Sequence, residues 1–214
     1  MKIGIIGSGE VGKALARGFI SRNHEVMIGS RDPSKLADFI KEQKDRVRAG
    51  TFEETAKFAE IAVVATLFSG TKHAIELAGP QNFAGKVVID VTNPLAFPEG
   101  KPPELSLGFN NSAGEEVQRW LPDAKVVKAF NIIGNAYMVD PKFPGGPPTM
   151  FIAGNDEGAK KIVTEIIESF GWQGSVFDLG GIEASRYLEP MCIVWVHYGL
   201  RTGAWDHAFK MLRK

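Results

Sequence analysis

Cysteine is almost missing from this 214-residue sequence, where Cys192 stands alone. A disulfide within the chain is impossible, and so is a multi-cysteine metal site. A single thiol suits a reducing compartment, and a cytoplasmic protein is expected. The four histidines, His24, His73, His197 and His207, are scattered, so no metal site is expected from them either. Charge of one sign is lacking too. The 25 basic and 25 acidic side chains cancel, which gives no reason to expect nucleic acid or an anionic membrane as a partner. No apolar stretch reaches the ~18 residues that a membrane helix needs. The opening Met1-Lys2-Ile3-Gly4 lacks the charged, apolar and small-residue succession of a secretion signal. Neither a G-x-S-x-G elbow nor a Cys-x-x-Cys pair occurs.

What is present begins at the third residue. Ile3, Ile5 and Ile6 form a short apolar run, as in a strand covered on both faces. Gly7-Ser8-Gly9-Glu10-Val11-Gly12 follows, then a helix with Val11, Ala14, Leu15, Gly18 and Phe19 on one face. A turn at Asn23-His24 leads to a second strand, Glu25 to Ile28. A G-x-G-x-x-G inside a strand-helix-strand unit is a dinucleotide fingerprint. Gly7 permits the tight turn, Gly9 lets a pyrophosphate approach the backbone, and Gly12 lets the helix pack close to the strand.

The end of the second strand discriminates between cofactors. An NAD site places a carboxylate there for the ribose hydroxyls. This sequence has Gly29, Ser30 and Arg31 instead, with Lys35 shortly after. A hydroxyl and a guanidinium suit a 2′-phosphate, so NADP(H) is expected. Asp32 reads as a helix cap with Pro33 at the first helical position.

Three more apolar runs alternate with helices. They end at Thr66-Leu67, at Thr92-Asn93-Pro94 and at Asn131. Ligands of an open parallel sheet lie outside the carboxyl ends of its strands. Thr66, Leu67, Asn93 and Pro94 are therefore expected beside the cofactor. Asn131, Ile132, Ile133 and Gly134 are expected beside the second substrate, with the two isoleucines as a flat apolar wall. Turn chemistry alone would also put Asn93-Pro94 at a strand end.

Residues 97–111 and 140–149 read as long loops. Ser112 and Glu115 predict a capping box for a helix up to Trp120. A strand is expected over 150–153, a helix capped by Asn155, and a strand over 175–177. The chain from Ile182 to Lys214 reads as helical, broken near Gly199 to Gly203. Trp195, Tyr198, Trp205 and Phe209 crowd this part as in a core or a subunit interface, and a dimer contact is expected in preference to a cofactor-stacking role. The fold class is α/β, a Rossmann-type doubly wound, mainly parallel sheet. A NADP-binding domain over 1–140 and a small C-terminal domain over 148–214 with terminal helices are expected.

No histidine or tyrosine stands at a strand end as a general acid or base, and no catalytic side chain is expected. Hydride transfer between two cofactor rings needs mainly alignment.

Four segments, "IGIIGSGEVGKALARGF", "VMIGSR", "VVKAFNIIG" and "GGIEASRYLEP", make the chain similar to the deazaflavin-dependent NADP reductases, which pass hydride between NADP and coenzyme F420. The resemblance implies NADP contacts at Ser8, Glu10, Val11, Ser30, Arg31 and Lys35, and a dimer whose C-terminal part closes the cleft. The segment Asn131-Ile132-Ile133-Gly134 looks more like the cytosolic domain of six-transmembrane metalloreductases, which pass hydride from NADPH to a flavin. The expected function is NADPH-dependent hydride transfer to a deazaflavin or flavin. An imine or small-carbonyl reductase and a non-catalytic NADP sensor are the alternatives.

Overall fold

The computed structural model describes residues 1–212. Short apolar runs separated by amphipathic segments fold as alternating strands and helices. The first half contains β1 (Lys2–Ile6), α1 (Glu10–Ser21), β2 (Glu25–Gly29), α2 (Ala37–Glu42), β3 (Val47–Gly50), α3 (Phe52–Phe58), β4 (Ile61–Val64) and α4 (Phe68–Ala78). Then come β5 (Val87–Asp90), β6 (Leu95–Ala96), β7 (Glu104–Leu105), α5 (Ala113–Trp120), β8 (Lys125–Lys128), β9 (Met150–Gly154), α6 (Glu157–Ser169), β10 (Val176–Asp178) and α7 (Ser185–Thr202).

Eight strands form one sheet in the spatial order β10-β9-β8-β5-β4-β1-β2-β3. From β3 to β8 all neighbours are parallel, and β9 joins β8 antiparallel, so residues after 148 continue the same sheet. The chain winds outward from β1 in one direction through β3, then returns and winds the other way from β4. The switch point lies between β1 and β4, where open α/β sheets bind ligands.

Strand residues alternate between two cores. Ile3, Ile5, Val63 and Ile89 pack with Leu15 and Phe19 of α1 and with Val163 and Ile166 of α6. Ile6, Val64, Val88 and Val126 pack with Ala74 and Ile75 of α4 and Val117 of α5. Both faces are thus covered, which explains why these strands are continuously apolar. Each fully buried Ile, Leu or Phe contributes roughly 1.5–3 kcal/mol.

Four expectations are corrected. Asp156, not Asn155, caps α6 by accepting from the Ala159 N–H, while Asn155 accepts from the Ile182 N–H. Only half of the box at α5 forms. Ser112 Oγ accepts from the Glu115 N–H, but the Glu115 carboxylate turns to Arg186, and Asn111 takes the Ser112 N–H. The long loop over 97–111 contains most of a small β6–β7 hairpin. Helix α7 stops at Thr202, with Gly203 in the left-handed conformation, and residues 204–212 are not helical. Residues 213 and 214, also expected to be helical, lie outside the described residues. Among the described residues no helix is long and apolar enough to cross a membrane.

Candidate functional site

The glycine loop crosses from β1 to α1 at the switch point. Gly7 has φ +125°, and a Cβ there would lie 2.4 Å from the Ala65 carbonyl oxygen. A Cβ on Gly12 would lie 2.2 Å from the carbonyl oxygen of Gly7, so α1 packs against the loop with no room for a side chain. A Cβ on Gly9 would meet nothing within 4 Å. Gly9 is also the N-cap of α1, and no side chain caps the helix. The first-turn N–H groups of α1 thus stand at an open space, a cradle that can take a pyrophosphate.

At the end of β2 the Ser30 hydroxyl accepts from the Asp32 N–H at 3.2 Å and lies 3.4 Å from Ser8 Oγ. Arg31 is exposed and makes no hydrogen bond or ion pair with any described residue. Lys35 is exposed, with its ammonium 3.9 Å from Asp32. Asp32 caps the following turn through Ser34 N–H and Oγ, and the Ser34 hydroxyl holds its carboxyl below the usual carboxylate range. The nearest carboxylate is therefore engaged in capping, and the rim carries positive charge.

After β4, the Thr71 hydroxyl donates to the Leu67 carbonyl at 3.1 Å and lies 2.7 Å from the Thr66 hydroxyl. Leu67 itself is exposed, an apolar side chain at the start of α4. Thr71 carried no signal in the sequence, because its hydroxyl matters only through the turn that brings it under Thr66.

The ends of β5 and β8 are joined by two amides. Asn93 Nδ2 donates to the Asn131 carbonyl at 2.7 Å, and Asn131 Nδ2 donates to Asn93 Oδ1 at 3.0 Å. Phe130, just before Asn131, takes φ +59°, a left-handed conformation unusual for a bulky residue and frequent where strain serves a site. The two isoleucines do not form the expected open wall. Ile132 is buried against Cys192, Val196 and Phe209, and Ile133 belongs to the main core. Gly134 faces α7, where a Cβ would lie 3.2 Å from the Trp195 ring.

Below the amide pair lies a group that the sequence did not announce. The Lys128 ammonium is fully buried between Asp90 at 2.7 Å and Glu189 at 3.0 Å. Burial favours the neutral amine, but the two carboxylates outweigh it and hold the Lys128 pKa above the usual lysine value. A lysine inside an apolar strand run reads as a stray charge until both distant partners are known. Among the described residues no cluster of three His, Cys, Asp or Glu could hold a metal.

Comparison with known proteins places this geometry. Residues 2–94 match the model of the family described as NADP oxidoreductase, coenzyme F420-dependent. The F420-dependent NADP reductase of Methanocaldococcus jannaschii is 30% identical over 202 residues, 89% of each chain. Metalloreductase STEAP3 of Rattus norvegicus is 29% identical over 89% of this chain, which spans 36% of that protein's length. A solved structure from Arthrobacter sp. FB24, provisionally described as an F420-dependent NADP reductase, superposes over the whole of both chains with a TM-score of 0.94 and 38% identity. With the fingerprint at the switch point and this similarity along nearly its full length, the chain belongs to the family of coenzyme F420-dependent NADP oxidoreductases.

Proposed function

We propose that this chain transfers hydride between NADP(H) and a deazaflavin or flavin. The observation that carries the reading is the rim of β2, where Ser30, the unpaired Arg31 and Lys35 replace the carboxylate of an NAD site. The 2′-phosphate sits against these three residues, and the pyrophosphate lies over Gly7 to Gly12 at the start of α1. Thr66, Leu67, Asn93 and Pro94 flank the nicotinamide half. Asn131 and Gly134 contact the acceptor, while Ile132 and Ile133 hold that segment from beneath. The reading assigns no side chain as a proton donor, which suits transfer between two rings that carry their own chemistry. The F420 dependence of the M. jannaschii relative favours the deazaflavin.

The same reading includes a homodimer. Tyr187, Met191, Val194 and Tyr198 recur along α7 at helical spacing as an apolar stripe, and three of them are at least half exposed. Sedimentation analysis checks it, and a monomer at micromolar concentration removes this part of the proposal.

The experiment is an acceptor screen with NADPH. Turnover of coenzyme F420 or of a free flavin supports the reading. Turnover of a cyclic imine or a small carbonyl instead would replace it. Tight NADPH binding with no turnover would make the chain a sensor.

A further inference from the structure

Lys128 is held by three parts of the chain. Its ammonium lies 2.7 Å from Asp90 Oδ2 at the end of β5 and 3.0 Å from Glu189 Oε1 on α7. It also donates at 2.7 Å to the Thr92 carbonyl. Glu189 is shared, since its two oxygens accept from the Ala113 and Gly114 N–H groups in the first turn of α5, at 2.9 and 3.0 Å. Asp90 is shared as well, since its Oδ1 accepts from the Thr92 N–H at 2.9 Å. Thr92 is thus gripped on both its N–H and its carbonyl. The next residue is Asn93, whose side chain exchanges two hydrogen bonds with Asn131. Asn131 lies only three residues after Lys128 in the sequence, beyond the left-handed turn at Phe130.

We propose that Lys128, together with Asp90 and Glu189, is a positioning unit for the acceptor side of the hydride-transfer site. Its ammonium fixes the Thr92 carbonyl, and Thr92 sets the Asn93 side chain that keeps Asn131 in register. Helix α7 supplies one carboxylate, so the C-terminal helix is wired to the ends of β5 and β8. The amide orientations follow from the pairing. Asn93 gives its NH2 to a carbonyl, so its Oδ1 must accept, and Asn131 must turn its own NH2 toward it. The Oδ1 of Asn131 is then directed away from the pair and has no partner among the described residues. The pairing uses one of the two N–H groups of Asn131 and leaves the other, with Oδ1, outside it. A buried ion cluster contributes little net stability relative to apolar packing of equal volume. Its effect should therefore appear in alignment.

The inference rests on the reading of Asn93 and Asn131 as site residues. The test uses the full chain carrying Asp90→Asn, Lys128→Met and Glu189→Gln together. This variant keeps the shape, keeps an acceptor for the Thr92 N–H and leaves no buried unpaired charge. The NADPH dissociation constant is expected to stay within about threefold of the parent, while kcat with the working acceptor falls about tenfold to a hundredfold, as misplacement of reacting groups produces. Side-chain amide signals of Asn93 and Asn131 should also lose their hydrogen-bonded shifts. Should the triple variant not fold, Glu189→Gln alone should lower kcat in the same direction by a smaller factor. A variant with unchanged kcat and unchanged amide signals overturns the proposal, as does an equal loss of kcat and NADPH affinity. A parent chain inactive with every F420 and flavin acceptor would instead sink the functional reading. The amide signals would still decide whether the unit positions the pair.

Discussion

At the end of β2 stands a guanidinium without a partner, and the proposed reading gives it the choice between two cofactors that differ by a single phosphate. Arg31→Asp should weaken NADPH binding by about tenfold to a hundredfold, since a charge-assisted contact contributes roughly 1.5–3 kcal/mol. NADH should be affected far less. Paired titrations of the two cofactors measure this, and an unchanged preference would reduce Arg31 to a surface charge. The glycines give a sharper contrast. Gly9→Val points into open space, so the fold should survive while NADPH binding falls. Gly12→Ala meets a backbone oxygen 2.2 Å away, so the melting temperature should drop whether or not cofactor is present. Thermal melts with and without NADPH separate the two. The tight turn at Gly7 and the close packing at Gly12 were legible because the fingerprint is local, and the Asp32 cap was legible for the same reason. The cap of α6 was misplaced by one residue, since Asn155 and Asp156 are both good caps and only the engagement of Asn155 by Ile182 selects between them. Lys128 could be read only as a stabilising or exposed charge, because its partners Asp90 and Glu189 come from remote segments.

Strands of continuous apolar sequence could be read directly, and the short edge strand of mixed composition could not. Strands β1, β4, β5 and β8 are buried on both faces and announce themselves. The edge strand β3 is only Val47-Arg48-Ala49-Gly50, too short and too polar to stand out. Helix α3 starts from a full capping box of Thr51 and Glu54 that went unread behind it. The half-formed box at α5 has a different cause. Glu115 gives up the reciprocal bond because Arg186 of α7 takes its carboxylate, at 2.8 Å through Nε. The Arg186 hydrogen bond, more than any other influence, holds the Glu115 carboxyl below the usual carboxylate range. A carboxyl depressed in this way stabilises the fold above its unfolded pKa, ~4.3, and the effect fades as pH falls through the folded value. Arg186→Met should therefore melt a few degrees below the parent near neutral pH, and the gap should shrink as pH falls below the ordinary carboxylate range. A gap that stays constant down to strong acid would assign the effect to lost packing instead of the ion pair.

For the molecule as a whole, the tail beyond α7 straps the last helix to the loop after residue 140. The Thr149 N–H donates to the Phe209 carbonyl, and the Thr149 hydroxyl accepts from the Met211 N–H, each at 2.9 Å. Trp195 Nε1 donates to the His207 carbonyl, and the His207 ring stacks on Trp195 with centroids 4.8 Å apart. Lys210 bonds the Gly145 carbonyl. The aromatic density of this region thus has a partner within the chain, which composition alone could not reveal, since an aromatic run reads equally as core or as interface. Beneath the strap lie Ile132, Val196 and Cys192. Burial pushes the Cys192 thiol up to about 12. At pH 8 that leaves about one thiol in ten thousand as thiolate, so the cysteine of the full chain should scarcely react with a disulfide reagent. Ending the chain after Gly203 removes Phe209 and opens that cluster to water. The thiol should then react faster by about a hundredfold or more, as its pKa returns toward that of a free cysteine. The glycine loop and the rim of β2 lie elsewhere on the sheet, so NADPH affinity should change little. Reaction with a chromogenic disulfide follows the thiol, and a fluorescence titration follows the cofactor. A thiol that stays inert in the shortened chain would show that α7 and Ile132 bury it without the tail.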